Sequence, residues 1–185
     1  MTTPELAPTV AAQAFAATIA SGLERDVAVR PTPSVRPAPE AAEGRYTLGA
    51  TLGEGGMGRV VEALDTLFGR RVALKEMKDD APSTDAARRF VVEALVSGNL
   101  EHPGVVPVYD RGVRGGRAFY TMRRLDGRTL ADAIADAPDA RGRLAFLPAL
   151  GKLAHTLAFA HERGVVHRDL KPANVILGRH GEVTV

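Results

Sequence analysis

The chain has no cysteine among its 185 residues. Disulfides, thiolate nucleophiles and cysteine-based metal sites are thereby excluded, and the redox compartment stays open. A strong charge of either sign is missing too: 24 Lys and Arg stand against 22 Asp and Glu, a formal net charge of +2. That small basic excess, carried mainly by arginine, is no electrostatic footprint for a polyanion, so no nucleic-acid partner is expected. No segment reaches the roughly 18 uninterrupted apolar residues that a bilayer span requires. The nearest run, Val10 to Ala20, contains Gln13 and Thr18 and has no basic stretch before it. It reads neither as a membrane segment nor as a signal peptide, and a cytoplasmic location is the expectation. Internal repeats are absent. What remains, 45% apolar and 25% charged residues, is the ordinary balance of a globular chain with one real core.

Residues 1–44 differ in composition from the rest: Ala and Pro dominate, and Pro31, Pro33, Pro37 and Pro39 lie close together. With little to bury, this stretch is expected to be a flexible, partly polyproline-like leader. Phe15, Ile19 and Leu23 recur every fourth residue and outline a short helix from Val10 to Arg25, too short to be stable alone.

Order is expected to begin near Tyr46. The stretch YTLGATLGEGGMGRVVEALD gives a β-prone run, a glycine series (Gly53, Gly55, Gly58) followed by Val60, a second β-prone run from Arg59 to Ala63, and Asp65 opening a turn. Glycines suit a tight hairpin whose backbone amides approach phosphate oxygens, where a Cβ has no room. The same glycines also open dinucleotide-binding βαβ units, but those need a helix at once, and here a further β-prone run, RVALKEM (Arg71 to Met77), follows a turn.

Ser83 to Leu100 reads as a helix, with Ser83 as cap, Asp85 in the first turn, and Phe90, Val91, Ala94 and Leu95 as its apolar stripe. Glu93 lies among those apolar residues, where an unpaired carboxylate is costly. After His102 and Pro103, VVPVYDRGV and RAFYTMRRL read as two strands joined at Gly115 and Gly116. Asp126 to Ala137 suggests a short helix and Pro138 to Gly142 a loop. Leu144 to His161 is an amphipathic helix bearing Leu147, Leu150, Leu153, Ala154, Leu157 and Ala158, and Gly164 stops it. His102, His155, His161 and His167 are expected to be structural.

The densest chemistry lies in GVVHRDLKPANVIL, Gly164 to Leu177. Two valines lead into a polar run and a second apolar run, Val175 to Leu177, follows it, so strand-like segments bracket the loop, and Pro172 stiffens the turn between. Gly178 to Gly181 reads as the turn to a further short strand that starts at Glu182. The bland alternative is a polar turn after a helix. HRDLKPAN, however, resembles the catalytic loop of the eukaryotic-type protein kinases, Asp169 and Asn174 keeping that motif's spacing. Lys171 is similar to the serine/threonine class, and the bacterial Hanks-type enzymes are the nearest description.

That resemblance implies an α+β, protein-kinase-like two-lobe fold: an N-lobe at 45–125 with an antiparallel sheet and one helix, and a partial helical C-lobe at 126–185. It implies ATP and Mg2+ as cofactors and a protein substrate offering Ser or Thr. Asp169 takes the proton of the substrate hydroxyl, Lys171 sits near the transferred phosphoryl group, and Asn174 holds a magnesium ion. VALK resembles the third-strand signature, so Lys75 pairs with the α- and β-phosphates and Glu93 is its ion-pair partner. Gly53, Gly55 and Gly58 cover the phosphates. Leu52, Val60, Ala73, Met122, Leu125 and Ile176 wall the adenine pocket, and Arg123 and Leu125 offer backbone groups to the base. Arg123 departs from the acidic residue usual there, which leaves backbone-mediated binding intact.

The resemblance covers residues 45–185, and the family's metal-binding Asp triplet falls about two residues past Val185. The chain alone, without that Asp and the activation loop, is therefore expected to be inactive or nearly so. The alternative is a truncated pseudokinase that binds nucleotide or a partner without catalysis. A small-molecule kinase of the same fold shares these residues.

Overall fold

Alternation of apolar and polar residues builds three consecutive strands, β1 (Tyr46–Glu54), β2 (Gly58–Asp65) and β3 (Arg70–Met77). The computed structural model describes Pro39 and residues 44–55, 58–78 and 83–185. The leader, apart from Pro39 and Gly44, and the helix expected from Val10 to Arg25 lie outside the described residues. In β3 every residue from Val72 to Met77 is buried, so this strand has cover on both faces. The other strands, β4 (Val108–Arg114) and β5 (Arg117–Arg123), complete an antiparallel five-stranded sheet in the order β1-β2-β3-β5-β4.

One face of that sheet carries Tyr46, Val61, Ala63, Val72, Leu74 and Phe119, with the Tyr46 and Phe119 rings meeting edge to face at 5.6 Å. The other face carries Val60, Ala73, Met77, Tyr120 and Met122 and packs against Phe90 and Ala94 of helix α1 (Thr84–Gly98). Ser83 caps this helix, its hydroxyl oxygen accepting from the Ala86 N–H at 3.2 Å. The expected stripe is narrower than the pattern: Phe90, Glu93 and Ala94 are buried, while Val91 and Leu95 lie at its half-buried margins.

Beyond the sheet the sequence pattern was less complete. Strand β6 (Gly127–Thr129) stands where a helix was expected to begin, and it pairs with β7 (Ile176–Gly178) through Thr129 opposite Ile176. Thr129 then caps α2 (Leu130–Ala135), accepting from the Asp132 N–H at 3.0 Å. Pro138 to Gly142, expected as a loop, leads into the one-turn helix α3 (Ala140–Leu144), because the Asp139 carboxylate accepts from the Gly142 N–H at 2.7 Å and nucleates it. Helix α4 (Leu147–Glu162) starts three residues later than the apolar pattern suggested, with Pro148 in its first turn. Gly164 ends it at φ +74°, donating to the His161 carbonyl, while Val165 donates to that of Ala160.

Val165 and Val166 form no strand: the segment expected as a strand before the polar loop has no ladder partner, and the Val165 N–H is used in closing α4. Leu153 of α4 packs with Leu130, Val175 and Val183, the last on β8 (Val183–Thr184). Leu147 and Leu150 remain 57% and 46% exposed, so the apolar stripe is wider than the face buried. The Val185 N–H bonds the Gly104 carbonyl at 2.9 Å, tying the last strand to the loop that follows α1.

Close backbone approach makes one glycine a sharp test. A Cβ on Gly127 would collide with the Leu177 carbonyl oxygen and come within 3.0 Å of its carbon, whereas one on Gly151 meets nothing within 4 Å. Gly127→Ala is expected to lower stability by about 1–3 kcal/mol through overpacking. Gly151→Ala, inside α4, is expected to raise it by about 0.4–1 kcal/mol. Urea unfolding of both variants checks the contrast.

Candidate active site

Two groups of polar side chains stand out against this framework, one under the sheet and one on the loop after α4. Under the sheet, Lys75 of β3 lies directly opposite Tyr120 of β5, so both side chains rise from the same face toward α1. Glu93 descends from α1 to meet them. Its Oε1 accepts from the Lys75 Nζ at 2.5 Å and also from the Tyr120 hydroxyl. Lys75 is 0% and Glu93 2% exposed. A buried charge pair of this kind needs both members, since either alone carries a desolvation cost that nothing offsets. The Lys75 ammonium lies 5.9 Å and 5.8 Å from the ring centroids of Phe90 and Tyr120, close enough for favourable cation–π attraction. Burial, reinforced by the Glu93 charge, pushes the Tyr120 phenol well above its ordinary pKa, so it stays a proton donor.

The glycine hairpin adjoins this group. Gly53 lies opposite Val60, and the Gly55 N–H donates to the Gly58 carbonyl at 2.9 Å. Gly58 has a reason for being glycine that the sequence did not suggest: a Cβ there would run into the Glu76 carbonyl oxygen of the neighbouring strand. Gly56 and Met57 lie outside the described residues.

Of the residues expected around the base, Val60, Ala73 and Met122 share one buried apolar cluster, and Leu52 and Leu125 pack against it. Ala73 and Met122 face each other across β3 and β5. Ile176 is buried on β7, opposite Thr129, and belongs to the lower sheet. Arg123 differs from its expectation in one respect. Its N–H already donates to the Pro107 carbonyl at 3.0 Å, so it has only a carbonyl left to offer a base.

On the loop, Asp169, Lys171 and Asn174 converge. The Asp169 Oδ2 accepts from the Lys171 Nζ at 2.9 Å and from the Asn174 Nδ2 at 3.2 Å, and that same amide nitrogen donates to the Asp169 backbone carbonyl at 2.7 Å. The spacing that makes this possible comes from the 3-10 turn Pro172–Asn174, which folds Asn174 back over Asp169. Lys171, then Asn174, holds the Asp169 carboxyl below its ordinary pKa despite partial burial. Burial pushes the His167 imidazole below its ordinary value, against the pull of Asp169. Arg168, between them, adopts φ +64°, a left-handed conformation that costs a non-glycine residue energy and marks a constrained loop.

Asn174 is 2% exposed, and its Oδ1 has no hydrogen-bond partner. An orphaned buried amide oxygen is unfavourable in isolation and well suited to a hard cation. Such an oxygen fits as one ligand of a cation like magnesium, which takes few protein oxygens and completes its shell with water and phosphate. Among the described residues no group of three or more His, Asp or Glu side chains converges as a metal cage.

Sequence reasoning missed Tyr120 altogether. The available signal was a hydroxyl-bearing ring within the mostly apolar AFYTM run of β5, but its partner depends on strand register, which the sequence does not display.

The family model for the protein kinase domain matches residues 46–185. The serine/threonine-protein kinase PknD of Chlamydia muridarum is 38% identical over 152 residues, covering 76% of this chain and 16% of that protein. The DNA damage-responsive serine/threonine-protein kinase RqkA of Deinococcus radiodurans is 46% identical over 141 residues, covering 75% of this chain and 21% of that protein. The chain thus spans about a fifth or less of the length of these curated relatives. Among solved structures, the kinase domain of Mycobacterium tuberculosis PknI is similar with a TM-score of 0.63 at 31% identity, covering 78% of this chain and 60% of that one. No described helix is long and apolar enough to cross a membrane.

Proposed function

The chain belongs to the protein kinase domain family, among the Hanks-type serine/threonine kinases of bacteria, and on that premise we propose that the full-length protein, rather than these 185 residues alone, transfers the γ-phosphate of ATP, with magnesium, to serine or threonine hydroxyls of proteins in the cytoplasm. The observation that supports this reading best is the Asp169 loop: a carboxylate kept ionised beside an ammonium, with an unpartnered amide oxygen next to it.

Each residue has a task in that reaction. Lys75, oriented by Glu93, donates to the α- and β-phosphates and fixes the nucleotide. The adenine lies between Leu52, Val60 and Ala73 above and Ile176 below, with Met122 behind it. Asn174 contributes its Oδ1 to the magnesium ion. Bound magnesium supplies neutralisation of the phosphate charge. The Lys171 ammonium lies beside the carboxylate that receives the incoming hydroxyl, where negative charge gathers as the phosphoryl group passes. Asp169 orients that hydroxyl and accepts its proton.

The test is transfer of label from γ-labelled ATP to a generic protein substrate by the full-length protein, with the product hydrolysed to its phosphoamino acids. Phosphoserine or phosphothreonine, formed only when magnesium is present, is the expected result. Saturable nucleotide binding without any transfer would instead establish a binding-only protein. Label confined to a small molecule would establish a kinase of another substrate class.

A further inference from the structure

Glu93 is held at two points, and only one of them is the lysine. Lys75 Nζ and the Tyr120 hydroxyl both donate to the same oxygen, Glu93 Oε1, while Oε2 has no partner. The two donors arise side by side, since Lys75 and Tyr120 are direct cross-strand neighbours in β3 and β5. Tyr120 is itself fixed: it is 1% exposed, and its ring packs against Phe90 of α1 at 5.3 Å between centroids. Phe90 and Glu93 lie one turn apart on that helix, so Tyr120 touches the face of α1 that carries the carboxylate through both its ring and its hydroxyl.

This second anchor matters when nucleotide arrives. A phosphate competes with Glu93 for the Lys75 ammonium, and a carboxylate held by the lysine alone loses part of its restraint at the moment its orientation counts. The phenol does not face that competition. It is neutral, buried, and aimed at Glu93 from the neighbouring strand.

We propose that Tyr120 is a positioning residue of the phosphate lysine: it holds the Glu93 carboxylate, and with it helix α1, in register while Lys75 engages the nucleotide. The inference rests on the kinase reading above. It assigns Tyr120 no contact with substrate.

Tyr120→Phe keeps the ring and its packing on Phe90 and removes only the hydroxyl. In the full-length protein, losing a hydrogen bond to a charged group is expected to lower kcat/KM for ATP by about 10-fold. The KM for the protein substrate is expected to stay unchanged, because that substrate does not meet this part of the site. In a Glu93→Leu background, which has no acceptor for the hydroxyl, the same substitution is expected to add little further loss, since the hydroxyl acts through the carboxylate. Melting curves establish that each variant is folded at the assay temperature. Wild-type kinetics in Tyr120→Phe, or an equal loss in both backgrounds, would overturn the assignment while leaving the kinase reading intact. A wild-type protein that neither binds nucleotide nor transfers phosphate would overturn both.

Discussion

Asp169→Asn in the full-length protein is expected to lower phosphate transfer by about 10²- to 10⁴-fold and to leave nucleotide affinity unchanged. The substitution is nearly isosteric, and the amide oxygen still accepts from Lys171 or Asn174, so the loop loses one capacity only, that of taking a proton. Lys171 and Asn174 hold the Asp169 carboxyl below its ordinary pKa, which makes it a weak base. That suits a loose transition state, in which the hydroxyl gives up its proton late and orientation matters more than basicity. The low pKa also fixes the sign of the pH response. A depressed carboxyl stays ionised through the neutral range, so acid removes this contribution only as pH falls through and below the ordinary value of 3.8. Initial rates with labelled ATP and a separate nucleotide titration check the two halves of the expectation. Equal rates in wild type and variant would remove Asp169 from the mechanism.

Local chemistry was legible in the sequence because it is contiguous. His167 to Asn174 carries its meaning within one loop, and the three functional side chains do meet there. The five strands of the upper sheet and helix α1 were legible for a related reason, since each has its own period and its own punctuation. Pairing across elements was not. Lys75 and Glu93 lie on a strand and a helix, and only resemblance to a family joined them in advance. Tyr120 had no such guide, because its role depends on the β3–β5 register. In the lower sheet the short strands on either side of the turn after Gly178 were legible, but β6 escaped notice for want of length: it has three residues, and only Thr129 among them is β-branched. Leu147 and Leu150 extend the apolar stripe of α4 onto a face that the described residues leave exposed, as the amphipathic pattern led one to expect.

Glu93→Ala is expected to be the most destabilising single change at the site, lowering unfolding free energy by about 3–5 kcal/mol. Three costs combine. The Lys75 ammonium is left buried without a counter-charge, the Tyr120 hydroxyl loses its acceptor, and a void opens between α1 and the sheet. The pair as a whole is a different matter, because its mutual attraction mainly offsets the cost of burying both charges. Replacing both members together, as in Lys75→Met with Glu93→Leu, is therefore expected to restore most of the stability and none of the phosphate transfer. Urea unfolding of the two single variants and the double variant measures this directly. Recovery of stability without activity means that the charges are retained for the nucleotide and not for the fold. If Glu93→Ala costs less than about 1 kcal/mol, the range of an exposed pair, Lys75 finds water in the variant and the pair is not the buried element described above. The combination of a fold that tolerates apolar replacements and a reaction that does not is what an ion pair kept for phosphate positioning requires.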